Sequence, residues 1–537
     1  MAGGRTTGTG QSGGTARRGT AGRVAAAAVV ALAALTLGGC INQPGLLPIA
    51  QQRPIDRSLV ECPKDFVLTP LLRGLNCPTA ECFDAQRGNL IVAESGIEGS
   101  EPHIFGYHLA DGKYFSIYPA KRTVSFAPTG FVIYGPVGGM VVHDGRVYVS
   151  HRDVDGLGRI TAFGYDGSHT TIVADLPAQG DYGVTDVVVH NHRLYFGVGT
   201  ATNSGVVGLD NWDEGWVRQH PDVCDQLGSF AVPFTDIKAN GSRFDTPNPG
   251  FGLGRPSIVV TPPFQPFGHG NQSLISPSTM PNGAIYSVGL DGGGDPQVEA
   301  IGLHNPRGLG VDEFNHLYTT NDGMQLRGTR PIANDPDVLE YVSRQANYRW
   351  PDYTTNGHPV TDPAYAPPVS MLTPHGYSEL TPLIDAAASG YPPFVQSDFD
   401  SRLAGVFPSL SGAAKLVFVP RTGPFAAQFG GMAIVALDGD RAPYASGGLK
   451  LKGFVGGKVD VVDVNAQQVK DFVYNVARVP ASQQPDGTVA LERPCDVKFG
   501  PDGCLYILDF GQMENDTAVP RYHSGTGAIF KLAPAVK

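Results

Sequence analysis

The stretch Asp502-Gly503-Cys504-Leu505-Tyr506-Ile507-Leu508 decides how the rest of the chain is read. A turn of Asp and Gly leads straight into five residues of the β-branched, aromatic and aliphatic kinds that strands favour. The same pattern recurs at Gly88-Asn89-Leu90-Ile91-Val92-Ala93-Glu94, Asp144-Gly145-Arg146-Val147-Tyr148-Val149-Ser150 and Asn191-His192-Arg193-Leu194-Tyr195-Phe196-Gly197. Two further copies are Asn315-His316-Leu317-Tyr318-Thr319-Thr320 and Gly430-Gly431-Met432-Ala433-Ile434-Val435-Ala436. Helical periodicity is almost absent between them. Most copies are followed by another strand that reads as the end of the unit, as in Ile104-Phe105-Gly106-Tyr107-His108-Leu109 and Ala528-Ile529-Phe530-Lys531-Leu532.

Repeated antiparallel sheets bury both faces and expose only short edges when they are set radially around an axis. Six copies therefore predict an all-β fold, a six-bladed β-propeller over residues 61–537. The spacing between Leu194 and Leu317 is too long for ordinary blades, and the excess over residues 206–282 reads as an insertion in blade three. Its Phe230, Phe234, Phe251, Phe264 and Phe267 are expected to pack it onto the blade tops.

The composition agrees with a turn-rich β fold: 70 glycines and 44 prolines in 537 residues, with 41% hydrophobic and 17% charged residues. These values fit a globular protein, not a disordered one. The formal charge of −11, with no basic stripe, argues against a nucleic-acid partner. No Ser nucleophile elbow, phosphate-binding loop or dinucleotide fingerprint stands in a strand-to-helix setting.

Residues 1–39 carry Arg5, Arg17, Arg18 and Arg23, no acidic residue, and an apolar run that ends at Leu37-Gly38-Gly39-Cys40. Basic head, apolar middle and small-residue end are the parts of a signal peptide. The last four residues resemble a bacterial lipobox, which implies lipidation of Cys40, a tether over 40–60, and attachment on the extracytoplasmic side of a membrane in the cell envelope. An acidic chain gains little from anionic headgroups, so anchoring is expected from acyl chains. In that oxidising compartment Cys62, Cys77, Cys82, Cys224, Cys495 and Cys504 are expected to form structural disulfides, with fifteen pairings open. A hairpin turning at Gly500-Pro501-Asp502-Gly503 sets Cys504 opposite Phe499, about four residues from Cys495, which argues against that pair.

The segment Gly302-Leu303-His304-Asn305-Pro306-Arg307-Gly308-Leu309 is followed by Arg330-Pro331-Ile332-Ala333-Asn334-Asp335-Pro336-Asp337 and Asn347-Tyr348-Arg349-Trp350-Pro351. With Ala436-Leu437-Asp438-Gly439-Asp440-Arg441-Ala442-Pro443 and Arg493-Pro494-Cys495-Asp496-Val497, these resemble the glucose/sorbosone dehydrogenase-like family, over roughly residues 78–535. The resemblance implies a soluble PQQ-dependent dehydrogenase of sugars or polyols, with the quinone at the propeller axis, calcium beside it, and a His as proton acceptor. It places Asp181 and Tyr182 at the catalytic position and His304, Asn305, Arg441 and Arg493 around the cofactor. Asp322, Asp335 and Asp337 are candidate calcium ligands, being oxygen donors of the type that ion takes.

The chain departs from that pattern where chemistry is concentrated. The family's Asp-His pair reads Asp181-Tyr182, and a phenol is a poor base near neutrality where an imidazole is well placed. A cofactor Arg is replaced by His304. Pro136 stands for a Gln, Cys495 for one of two Arg, and Arg349 for a Gly. Asp322-Gly323-Met324 stands where a Gly-Pro segment offers carbonyls to calcium. Three functions are thus expected: a dehydrogenase-like oxidoreductase with a degenerate site, a non-catalytic lipid-anchored propeller that binds glycan or protein, or a calcium-dependent lactonase-type hydrolase.

Overall fold

The computed structural model describes residues 45–47, 51–97, 99–119, 131–230, 236–241, 243–249, 257–270, 274–390, 393–514 and 520–535. The signal peptide expected over 1–39 and the lipidation candidate Cys40 lie outside the described residues.

Six sheets of four or five strands are set around one axis. Their innermost strands are Pro78–Asp84, Tyr134–His143, Val184–His190, Asn305–Val311, Ala413–Phe418 and Pro494–Phe499. Each packs on the next, and the sixth packs on the first. The six motif copies are the second strands, one to each blade: Asn89–Glu94, Arg146–Arg152, Arg193–Val198, Leu317–Asp322, Ala433–Leu437 and Leu505–Asp509. In Asn89–Glu94, Ala433–Leu437 and Leu505–Asp509 every residue is buried, because neighbouring blades cover both faces. That is why the pattern reads as a continuous apolar run, each large aliphatic side chain contributing about 1.5–3 kcal/mol.

The strands read as ending each unit are in fact third strands. A fourth follows, such as His169–Leu176 after Gly158–Phe163 and Gln297–Ile301 after Ala284–Gly289. These outer strands are half-exposed, His169–Leu176 opening with three exposed residues, so their apolar signal is weak. Blade six takes its fourth strand from the other end of the chain: Phe66–Leu75 pairs with Gly527–Pro534, from Phe66 opposite Pro534 to Leu75 opposite Gly527. The segment read as a tether is partly laid on this closure. Gly45–Leu46 extends the edge of Phe66–Leu75, Ile55 donates to the Leu68 carbonyl, and Val60–Glu61 adds an edge to blade five.

Between the second and third strands of blade three, residues 199–283 leave the sheet. They carry the short helices Leu209–Glu214 and Trp216–Gln219 and a hairpin of Phe244–Asn248 with Ser257–Thr261. Residues 342–402 leave blade four in the same way, between its third and fourth strands. The two excursions share a core in which Leu227, Phe244 and Phe264 meet Trp350, Tyr365 and Leu383. Phe230 packs on the core of blade three and Phe267 on Trp212, whereas Phe234 and Phe251 lie outside the described residues.

The expected disulfides are not formed; all six cysteines of the described region are thiols. Cys82 fills the core between blades one and two, Cys62 that of blades five and six, and Cys224 a small cluster under Trp216. Cys495 and Cys504 share a core, yet Gly500 faces Cys504 while Cys495 sits in the bulge opposite Leu508 and Asp509. Buried cysteine here behaves as a small apolar side chain.

Candidate functional site

Because every blade is antiparallel from its inner strand outward, the inner strands begin and the second strands end on one face of the ring. Side chains just before an inner strand therefore gather at the axial mouth. Asp181 and Tyr182 precede Val184–His190, His304 and Asn305 open the next inner strand, and Arg493 precedes the sixth.

Asp181 is held from three sides. Its Oδ1 accepts from Asn211 Nδ2 at 2.9 Å and Trp216 Nε1 at 2.7 Å, both from the blade-three excursion. Its Oδ2 accepts from the Arg327 guanidinium at 2.7 Å. Arg327 also pairs with Asp210 at 2.6 Å and lies over the Tyr444 ring, 5.2 Å from its centre. The same guanidinium donates to the Tyr182 hydroxyl at 3.2 Å. Arg327 and its partners thus form a clasp joining loops of three blades over one side of the mouth. Burial pushes the Tyr182 phenol well above its ordinary range, the nearby Arg327 only partly opposing it. A phenol so placed donates; it does not take a proton.

The Tyr182 ring stands edge-on to the His304 ring, centres 4.7 Å apart. Gly199 permits this closeness: a Cβ there would fall 2.3 Å from Tyr182 Cβ and 2.9 Å from Asn305 Oδ1. His304 Nδ1 lies 2.8 Å from the Asp322 carbonyl, which can only accept, so Nδ1 carries the hydrogen. The lone pair is then at Nε2, which is buried without a partner. Burial lowers the His304 pKa to about 4, so the ring is neutral near pH 7. Asn305 Nδ2 donates to Asp322 Oδ2 at 2.8 Å, leaving Asn305 Oδ1 and Asp322 Oδ1 also buried and unpartnered. Burial raises the Asp322 carboxyl to about 7. Unmatched buried acceptors are costly and mark places where a donor belongs.

The structure thus brings Asp181, Tyr182, His304, Asn305 and Asp322 into one contiguous group. Arg493 and Arg441 form a neighbouring group around Asp438, close enough for the Arg441 and Arg307 charges to act with Asp322. The Arg493 guanidinium turns into the backbone, donating to the carbonyls of Asp438 (2.9 Å), Gly439 (3.1 Å) and Asp440 (2.9 Å). Arg441, its side chain 38% exposed, lies 3.6 Å from Asp438, which Arg307 also binds. Asp335 and Asp337 are committed to the main chain. Asp335 accepts from the N–H groups of Met324 and Thr355 and from the Thr355 hydroxyl. Asp337 accepts from the N–H groups of Gly323, Gly412 and Ala413 and from the Ser411 hydroxyl. They bracket loops and present no set of oxygens to an ion. Among the described residues no three of His, Cys, Asp and Glu converge as a metal site.

Arg327 and Trp350 are members that the sequence did not disclose. Nothing in the spacing marks Arg327, which reaches the mouth from a loop between strands. Trp350 reads as blade packing, but its indole lies face to face with His304, centres 6.3 Å apart, and donates to the Asn203 carbonyl.

The donor set can be tested against the flat quinone with three carboxylates that the sequence resemblance implies. Such a ligand needs cations with open hydrogen-bond positions. Here Arg327 faces Asp181 and Asp210, Arg307 and Arg441 face Asp438, and Arg493 faces three carbonyls. Arg441, with one ion pair at 3.6 Å, and Arg493 Nε, buried without a partner, are the cationic positions among these that could meet a ligand carboxylate; the unpartnered acceptors could not. They suit a neutral ligand rich in hydroxyl donors.

Among solved structures the chain is similar to three sugar-active proteins. It aligns over 90% of its length with 99% of a Trichoderma reesei carbohydrate-active enzyme of family AA12, determined with calcium, at 13% identity and a TM-score of 0.49. It aligns over 89% with 98% of the PQQ domain of Coprinopsis cinerea pyranose dehydrogenase in its holo form, at 15% identity and a TM-score of 0.46. The PQQ-bound aldose sugar dehydrogenase of Streptomyces coelicolor matches over 88% of this chain and 99% of its own, at 13% identity and a TM-score of 0.43. No protein-family model matches the chain, and no curated protein matches it in sequence.

Proposed function

We propose that this protein is a sugar- or polyol-binding propeller of the cell envelope, carried on a lipid at Cys40, whose axial mouth takes a neutral polyhydroxylated ligand. The observation that carries this reading is the trio of buried acceptors without partners, His304 Nε2, Asn305 Oδ1 and Asp322 Oδ1. Ligand hydroxyls supply the missing donors, and the clasp centred on Arg327 closes one side of the mouth against water. A carboxylate of PQQ would meet Arg441 and the Nε of Arg493 as open cationic positions, whereas Arg327 and Arg307 are already paired with Asp181, Asp210 and Asp438.

Turnover of that ligand is a second reading, and His304 favours it. A neutral imidazole with a free lone pair at Nε2 can take a proton from a sugar hydroxyl or an attacking water, as a weak base because burial lowers its pKa to about 4. Titration calorimetry with a panel of neutral aldoses and alditols tests the binding reading. Saturable binding is expected, weakened at least tenfold by His304→Ala and by Asn305→Ala. No binding by any member, or binding indifferent to both substitutions, overturns it. Dye reduction by aldose with PQQ and Ca²⁺, or proton release from an aldonolactone, then tells whether the bound ligand is turned over.

A further inference from the structure

A cavity of about 420 Å³ lies between the two excursions, away from the six inner strands. Its walls are Leu227, Ile301, Trp350, Tyr353, Pro382 and Ile384, with side-chain amides at the rim. A second cavity of about 310 Å³ adjoins it and is lined by Phe230, Phe394, Val395 and Phe399. The two share Asn347 and Arg349, which line both. They also share an aromatic partition: Tyr353 of the first lobe and Phe394 of the second are stacked, 4.2 Å between centres and 18° between planes.

Each lobe falls within the size range of small-molecule sites, and apolar walls with a few fixed polar groups are the usual make-up of such sites. The charges of the first lobe are largely satisfied from within. Asp352 is paired with Arg330 and accepts from the N–H groups of Leu383 and Ile384, and Asp385 caps the helical turn Ala386–Ser389. Asn347 Oδ1 accepts from the Arg349 N–H, and the Asn347 side chain lines both lobes. Arg349 holds a left-handed backbone, φ 70°, that a non-glycine residue adopts at a cost. That strain sits at the junction of the lobes, where it fixes the position of the Asn347 side chain.

We infer that this two-lobed cleft is a second, off-axis binding site for a neutral oligosaccharide, with successive pyranose rings seated in successive lobes. Ring-sized compartments set side by side, aromatic faces in both, and an amide at the junction match a chain of rings whose faces are apolar and whose edges carry hydroxyls. A compact apolar molecule would fill one lobe and leave the Asn347 amide unused. The site stands apart from the axial reading, although Trp350 belongs to both: its ring lies against His304 and lines the first lobe.

The test is calorimetric titration of the full chain with glucose, with maltotetraose, with cellotetraose and with the N-acetylglucosamine tetramer, followed by tryptophan fluorescence. At least one tetrasaccharide is expected to bind ten times or more tighter than glucose, with a change in emission. Phe394→Ala is expected to weaken it about tenfold, and Tyr353→Leu, which keeps apolar bulk and removes the ring, by a similar factor with an unchanged melting temperature. His304→Ala is expected to leave tetrasaccharide affinity within twofold while removing axial binding of the monosaccharide. Failure of every tetrasaccharide to bind, affinity no better than for glucose, or loss on His304→Ala without loss on Tyr353→Leu overturns the proposal. Absence of any monosaccharide binding in the unaltered protein, with tetrasaccharide binding intact, overturns the axial reading and leaves this one standing.

Discussion

At the scale of single residues, the mouth is organised by what a side chain lacks as much as by what it carries. Gly199 makes room for both Tyr182 and Asn305, so Gly199→Ala must push one of them aside. The expected cost is about 1–3 kcal/mol by urea denaturation, in the range of overpacked cores, together with loss of axial ligand binding. A variant with unchanged stability and unchanged binding would show that the two side chains do not need their present places. The family resemblance puts Asp181, Tyr182, His304 and Asn305 at one site, and in the structure they meet because all of them precede or open inner strands. Arg493 stands just before the sixth inner strand, but spacing gives the position of a guanidinium and not its direction. Arg493 points into the 438–440 turn, where three carbonyls receive it.

At the scale of elements, blades are joined by side chains that bond to the backbone of the neighbouring blade. Thr79 donates to the Val137 carbonyl, Ser150 to Thr185, Thr185 to Pro306 and Thr320 to Ala414, so four successive junctions use a hydroxyl in the same way. Asp337 does similar work between blades four and five, gathering three N–H groups and one hydroxyl. Asp337→Ala strands those buried donors. Unfolding free energy is expected to fall by about 3 kcal/mol or more, read by chemical denaturation. A loss under 1 kcal/mol would mean that the loops find other partners. The Asp type at this position was visible in the sequence and was read as an ion ligand. Both roles ask for oxygen acceptors near a turn, and only the positions of Gly323, Ser411 and Gly412 in space separate them.

At the scale of the whole molecule, the interior holds carboxyls that prefer their protons. Burial raises Asp225 and Asp335 to about 7, Glu340 to about 8, and Asp460 and Asp509 to about 6. Each contributes stability that is complete below its ordinary range and is lost as pH rises through these values. His151 and His304, both lowered to about 4 by burial, act with the opposite sign, but their loss occurs as pH falls from about 6.5 toward 4. Between pH 6.5 and 8 the folded chain therefore binds more protons than the unfolded one, and stability must decline with pH. The melting temperature is expected to be lower at pH 8 than at pH 6.5 by about 2 °C or more. A flat or rising profile over that window would contradict the raised carboxyls. The number of blades was legible because second strands, covered on both faces, repeat one apolar signature. The outer strands and the two excursions were not, because half-exposed strands and loop-built cores leave no period in the sequence.

The closing sheet joins Phe66–Leu75 to Gly527–Pro534, and Thr69 bonds Lys531 across a sequence separation of 462. During synthesis from the N-terminus, that strand must wait almost the full length of the chain for its mate. Until then a long, largely apolar ribbon has one hydrogen-bonding edge bare, and such an edge readily recruits other strands. The protein is therefore most exposed to aggregation before its last few dozen residues arrive. Afterwards neither end can leave without opening the ring.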